Sequence, residues 1–111
     1  MMGIIECIDV LGTTYTIKQS NKVDDLNLTN NDGYCDFTSK TIVIDTFQET
    51  PSSVSDLEHY KKQVIRHELI HAFLYESGLD SCSWAGNEEI VDWIACQFPK
   101  INDAFRTIDC I

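Results

Sequence analysis

His67, Glu68 and His71 fall within five consecutive residues, HELIH, which places two imidazoles four positions apart and a carboxylate directly after the first. On a helix, residues i and i+4 share a face with Cβ atoms about 6 Å apart, so both rings can converge on one ion at Zn–N distances of about 2.0–2.1 Å. Two nitrogens alone hold zinc weakly, and a catalytic site adds a third protein ligand while leaving a fourth position to water. Glu68, about 100° round the helix from His67, is suited to take the proton of a metal-activated water as it attacks a carbonyl. The five residues therefore predict a Zn2+ cofactor and hydrolysis, with Glu68 as general base.

A third ligand has to come from elsewhere, and NEEIVD at residues 87–92 is the obvious supplier. Glu88 and Asp92 stand four apart and share a helix face, while Ile90, Val91, Ile94 and Phe98 form the apolar stripe of the same segment. Glu88 is suited to ligate the ion. Asp92 is suited to accept the free ring N–H of His67 or His71, which fixes the coordinating tautomer. Glu89, about 100° away, competes for the ligand role. The same run also suits a helix start, with Asn87 as N-cap and glutamates in the first turn meeting the helix dipole.

Several other side chains have chemistry to offer. Tyr34 and Tyr75 could each hydrogen-bond a transition-state oxyanion, and Cys35 or Cys110 could fill a fourth metal position. His59 reads as a solvated histidine, and Trp84, Trp93 and Cys96 read as packing residues.

The elements that must position these groups divide the chain in half. GIIECIDV and TTYTIK are β-rich segments around a hairpin turn at Leu11-Gly12; residues 20–33 form a polar connector; and GYCDFTSKTIVIDTF supplies two more extended pieces around Thr38, Ser39 and Lys40. Helix-starting chemistry at Pro51, Ser52, Ser53, Ser55 and Asp56 opens an apolar periodicity that runs to Gly78, where a left-handed glycine can end it. HELIH lies in the last three turns of that helix. Residues 64–75 are apolar almost all round, which predicts a helix buried between the strands and a second helix from about Asn87 to Phe98. Pro99 is expected to stop that second helix or to open a separate terminal turn in INDAFRTI, and the closing segment INDAFRTIDCI is a candidate to fold over the cleft.

Bulk properties bound the function. A chain of 111 residues holds a single domain with one core and no second lobe. Eighteen acidic residues against eight Lys and Arg give a net charge of −10, which disfavours nucleic acid and anionic lipid as partners. Neither a signal-peptide pattern nor a membrane-spanning apolar run is present, so a cytoplasmic location is expected. Five cysteines without a C-x-x-C fit reduced thiols.

HELIH together with NEEIVD resembles the zincin metallopeptidases, more narrowly the glutamate-type zincins (gluzincins), whose second motif has an asparagine, then the ligand glutamate, then an aspartate four residues after that ligand. The small size, GYCDFTSKTIVID upstream and the ending IACQFP are similar to the ImmA/IrrE-type phage and mobile-element metallopeptidases and to the single-domain minigluzincins, over roughly residues 31–100. The resemblance implies His67, His71 and Glu88 as zinc ligands, Glu68 as general base and acid, and Asp92 as the orienting carboxylate. It also implies that the strand at Ile42 to Asp45 rims the cleft and binds an extended peptide by strand addition.

The expected molecule is thus an α+β zincin-like domain with a sheet of three or four strands, mixed or antiparallel, over a helix at about residues 55–77, followed by the glutamate helix. Its expected activity is zinc-dependent peptide-bond hydrolysis of a protein or peptide substrate, in a phage or mobile-element regulatory setting by resemblance. The alternative is a catalytically silent zinc-binding scaffold that acts as a protein-interaction module.

Overall fold

The strand-rich half folds as a four-stranded mixed sheet, β1 (Gly3–Val10), β2 (Thr13–Ser20), β3 (Gly33–Asp36) and β4 (Thr41–Asp45), in the order β1-β2-β4-β3. The computed structural model describes residues 3–47, 56–79 and 84–111. Strands β1 and β2 form the expected hairpin, and its two turn residues both have positive φ, 50° at Leu11 and 94° at Gly12. A two-residue loop of this hand matches the twist of the strands it joins. Strand β2 then pairs β4 in parallel, with Thr16 beside Thr41 through to Ser20 beside Asp45, and β4 pairs β3 antiparallel. Alternation along β2 and β4 turns Tyr15, Ile17, Ile42 and Ile44 into one core with Val64 and Ala72 of the following helix.

Strand β4 is therefore interior, paired on both sides, and cannot add a peptide strand. The expectation that Ile42 to Asp45 rims the cleft is corrected: among the described residues β3 is the edge strand on that side. The reason is the parallel β2–β4 pairing, which sends the connector past β4 and leaves β3 outermost. That connector is less featureless than its composition suggests. Leu26–Leu28 form a 3-10 turn with Leu28 fully buried, and the ammonium of Lys22 donates to the carbonyls of Leu28 at 2.7 Å and Asn31 at 2.9 Å.

Helix α1 (Leu57–Glu76) starts at Asp56, whose side chain accepts from the His59 amide at 3.0 Å; it ends before Gly78, with φ 93°. The expected start signals at Pro51 to Ser55 lie outside the described residues. Helix α1 packs between the sheet and α2 (Glu88–Thr107), as its apolar surface demands. Its burial is less complete than expected, with Val64, Glu68 and Ala72 buried but Phe73 and Tyr75 exposed. Glu76 ties its last turn to the sheet, accepting from Tyr15 Oη at 2.7 Å, Lys40 Nζ at 2.8 Å and Thr13 Oγ1 at 3.1 Å. The Lys40 ammonium and then the Tyr15 hydroxyl hold that carboxyl below the ordinary glutamate range.

Two expectations fail in α2, both for identifiable reasons. Pro99 neither stops the helix nor opens a separate turn: it lies inside a continuous helix to Thr107. In a regular helix the residue-99 amide would bond the Ala95 carbonyl, and proline has none to give. Arg66 of α1 supplies the missing donor, its Nε reaching Ala95 O at 2.7 Å. Because the helix simply continues, residues 101–111 do not fold over the cleft, and none of them lines it. Trp84 and Trp93, read as packing residues, are instead 62% and 56% exposed, and Cys96 is only half-buried. Among the described residues no helix is long and apolar enough to cross a membrane.

Candidate metal centre

Three side chains from two helices converge on one point. His67 and His71 project from successive turns of α1, and Glu88 comes from the first turn of α2, which Asn87 caps by accepting from the Ile90 amide at 3.0 Å. Nε2 of His67 lies 2.9 Å, and Nε2 of His71 3.1 Å, from the same oxygen, Oε2 of Glu88. The ligand atoms of these three residues all lie within 4.8 Å of one another. Tetrahedral ligands at about 2.1 Å from an ion stand about 3.4 Å apart, so two imidazole nitrogens and one carboxylate oxygen at these separations suit zinc in both donor type and spacing. Glu89 is not in the group; it lies with Trp84, Ile90 and Trp93 on another part of the surface.

Asp92 reaches the other side of His67, with Oδ1 3.3 Å from Nδ1. A carboxylate there favours the tautomer with the proton on Nδ1, leaving Nε2 free to coordinate. Desolvation opposes the ionised form of Glu88, but hydrogen bonds and charge from His71, and then from His67, outweigh it and hold the carboxyl below the ordinary range. An ionised carboxylate is the form that binds a cation.

Glu68 is 7% exposed and makes no part of the three-residue group. Burial pushes its carboxyl up to about 7, against the lowering effect of His67, with the Glu88 carboxylate adding to the rise. A carboxyl in that position is held where it can both take and return a proton near neutrality.

These residues open onto a cleft of about 680 Å³. Helix α1 forms its floor, β3 one wall, and Ala85, Gly86, Glu88 and Asp92 the opposite one. The Asp45 amide donates to Asp32 O at 2.9 Å, which fixes the antiparallel alternation of the β3–β4 ladder. The main-chain groups of Tyr34 and Asp36 face β4, and those of Gly33 and Cys35 face the open edge. Gly33 sits close to its neighbours: a Cβ there would stand 3.0 Å from Val64 Cγ1 and 3.1 Å from Ile44 Cδ1 and Val43 O, so a larger residue needs them to give by a few tenths of an ångström.

No protein-family model, curated protein or solved structure matches this chain. What the site can do is therefore read from its own geometry.

The remaining candidates sort clearly. Tyr34 and Tyr75 both line the cleft, but Tyr34 gives its hydroxyl to Asp25, and Tyr75 stacks on Phe37 with ring centroids 4.3 Å apart. Cys35 also lines the cleft, where burial pushes its thiol up to about 12, and it is not in the ligand group. Cys110 is exposed and donates to the Phe105 carbonyl. His59 is exposed and outside the cleft. Cys82 lies outside the described residues.

Two aromatic residues of the cleft were missed in the sequence. Tyr60 lines the floor and donates to Asp32; it stands seven residues before His67, two turns back on the same face, a spacing that marks it. Phe37 lines the wall through a turn held by Asp36, whose Oδ1 accepts from the Thr38 amide at 3.0 Å. Nothing in its local sequence pointed to that place.

Proposed function

We propose that the chain is a zinc-dependent peptidase of the zincin type, with His67, His71 and Glu88 holding the ion and Glu68 acting as general base and acid. The observation that carries the reading is the convergence of both histidine Nε2 atoms on one oxygen of Glu88, 2.9 and 3.1 Å away, beside a buried Glu68 and at the mouth of a strand-edged cleft. When bound, zinc supplies Lewis acidity to a water and to a substrate carbonyl. Glu68 accepts a proton from the attacking water on its carboxylate and returns it to the departing amine, so that the carboxylate is regenerated. Asp92 holds His67 in its coordinating tautomer. An extended peptide docks by main-chain hydrogen bonds to Gly33 and Cys35 on the free edge of β3, which presents its carbonyls along the floor where Glu68 lies.

Glu68→Gln tests the reading because it removes the base while leaving all three proposed ligands. The variant should bind zinc as wild type does and lose hydrolysis of an unfolded protein substrate by roughly 10²–10⁴-fold. Undiminished hydrolysis by the zinc-loaded variant would refute the assignment.

A further inference from the structure

The apolar side of α2 is wider than the element that covers it. Val91 and Ala95 are fully buried, on the side that Arg66 of α1 grips. About 80° further round the helix runs a second line: Ile90, Ile94, Phe98, Ile101, Phe105 and Ile108, at successive spacings of four, four, three, four and three residues. Much of it is bare. Ile90 is 44% exposed, Phe98 46%, Phe105 45% and Ile108 72%, with Trp93 on the flank at 56%. A helix lying on one neighbour normally turns polar residues outward. A continuous exposed apolar line of this length is the mark of an interface.

We propose that a second copy of this chain covers the line, through an antiparallel, two-fold contact of α2 on α2. The spacings carry the choice of occupant, because they read nearly the same in both directions. A two-fold axis between Phe98 and Ile101 sets Ile90 against Ile108 of the second copy, Ile94 against Phe105, and Phe98 against Ile101. Such self-complementarity is what an isologous interface requires, and alternating steps of three and four are the seam of paired helices. The area also suffices. Five half-exposed side chains of this size offer roughly 500 Å² per copy, or about 1,000 Å² for the pair, the least expected of a specific interface. Glu88 and Asp92 lie on the far side of α2 from this line, so both clefts stay open in the pair and the contact needs no metal.

Charge sets a second expectation. Each copy carries −10, and bringing two together is opposed by self-repulsion that salt screens. The dimer should therefore tighten as ionic strength rises, the reverse of an association held by ion pairs.

Light scattering on the full chain, at concentrations from micromolar to millimolar, tests the proposal. Wild type should approach twice 12.6 kDa with rising concentration, and at lower concentration as salt is added. Phe105→Glu and, separately, Ile108→Lys should each weaken association by roughly tenfold or more, with far-UV helicity unchanged. Using one acidic and one basic replacement separates lost apolar contact from added charge. A monomer at every concentration would overturn the proposal and assign the line to a different protein. A dimer that neither substitution weakens would also overturn it and move the contact elsewhere, with the exposed Ile4 and Ile8 of β1 the next apolar surface.

Discussion

Asp92 shows how much of the proposed site would depend on a group that does not touch the ion. Its carboxylate meets Nδ1 of His67 at 3.3 Å while Nε2 of the same ring points at Glu88. Without it, either tautomer of His67 is available and part of the population carries its proton on the coordinating nitrogen. Asp92→Ala should therefore weaken zinc binding by roughly 10–100-fold, read by competition with a chromophoric chelator. Equal affinity in the variant would mean that ring orientation is set by packing alone. At this scale the juxtaposition was legible: i, i+4 spacing on two helices offers His67, His71, Glu88 and Asp92 as neighbours, and the structure brings the four side chains together. Glu89 was separable from Glu88 only by resemblance, since both spacings were open until the packing of α2 turned one toward α1 and the other toward Trp93.

The pair of long helices is held in register by a bond the sequence could not reveal. Proline at 99 removes the amide that would have served Ala95 O, and Arg66, the residue before His67, serves it instead at 2.7 Å. The contact joins the helix carrying the histidines to the helix carrying Glu88. Arg66→Met should leave that carbonyl without a partner and cost about 1–3 kcal/mol in denaturant unfolding. Adding Pro99→Ala should recover most of the loss, because alanine returns an amide to the helix. An Arg66→Met cost that is the same with and without Pro99→Ala would contradict the account. Local rules placed a stop at Pro99 because they weigh only the missing amide; a donor from 33 residues earlier in the chain lies beyond any window of local pattern. The rim strand was misplaced for the same reason. TIVID is the most β-prone stretch of the chain, but its pairing with β2 on one side and β3 on the other is a long-range outcome, and it left GYCD at the edge.

On the scale of the whole molecule, composition and periodicity were enough for an α+β body with three or four strands, two helices and the helix of HELIH beneath the sheet; the structure has four strands. They did not say which apolar residues stay uncovered. Trp93 and Phe98 look like core in the sequence, and they would be core if α2 had a neighbour on each side; among the described residues α2 packs chiefly on α1, which leaves its other side bare. Among the described residues β3 forms one wall of the cleft, and there is a single group of three convergent ligands. The measurement that bears most directly on this group is the zinc content of the purified chain after zinc is supplied at neutral pH and the excess removed, for wild type, His71→Ala, Glu88→Ala and Glu89→Ala. About one zinc per chain in wild type and Glu89→Ala, with loss in the other two, is the predicted result. Wild type without zinc, or zinc kept by Glu88→Ala and lost by Glu89→Ala, would contradict the proposed centre.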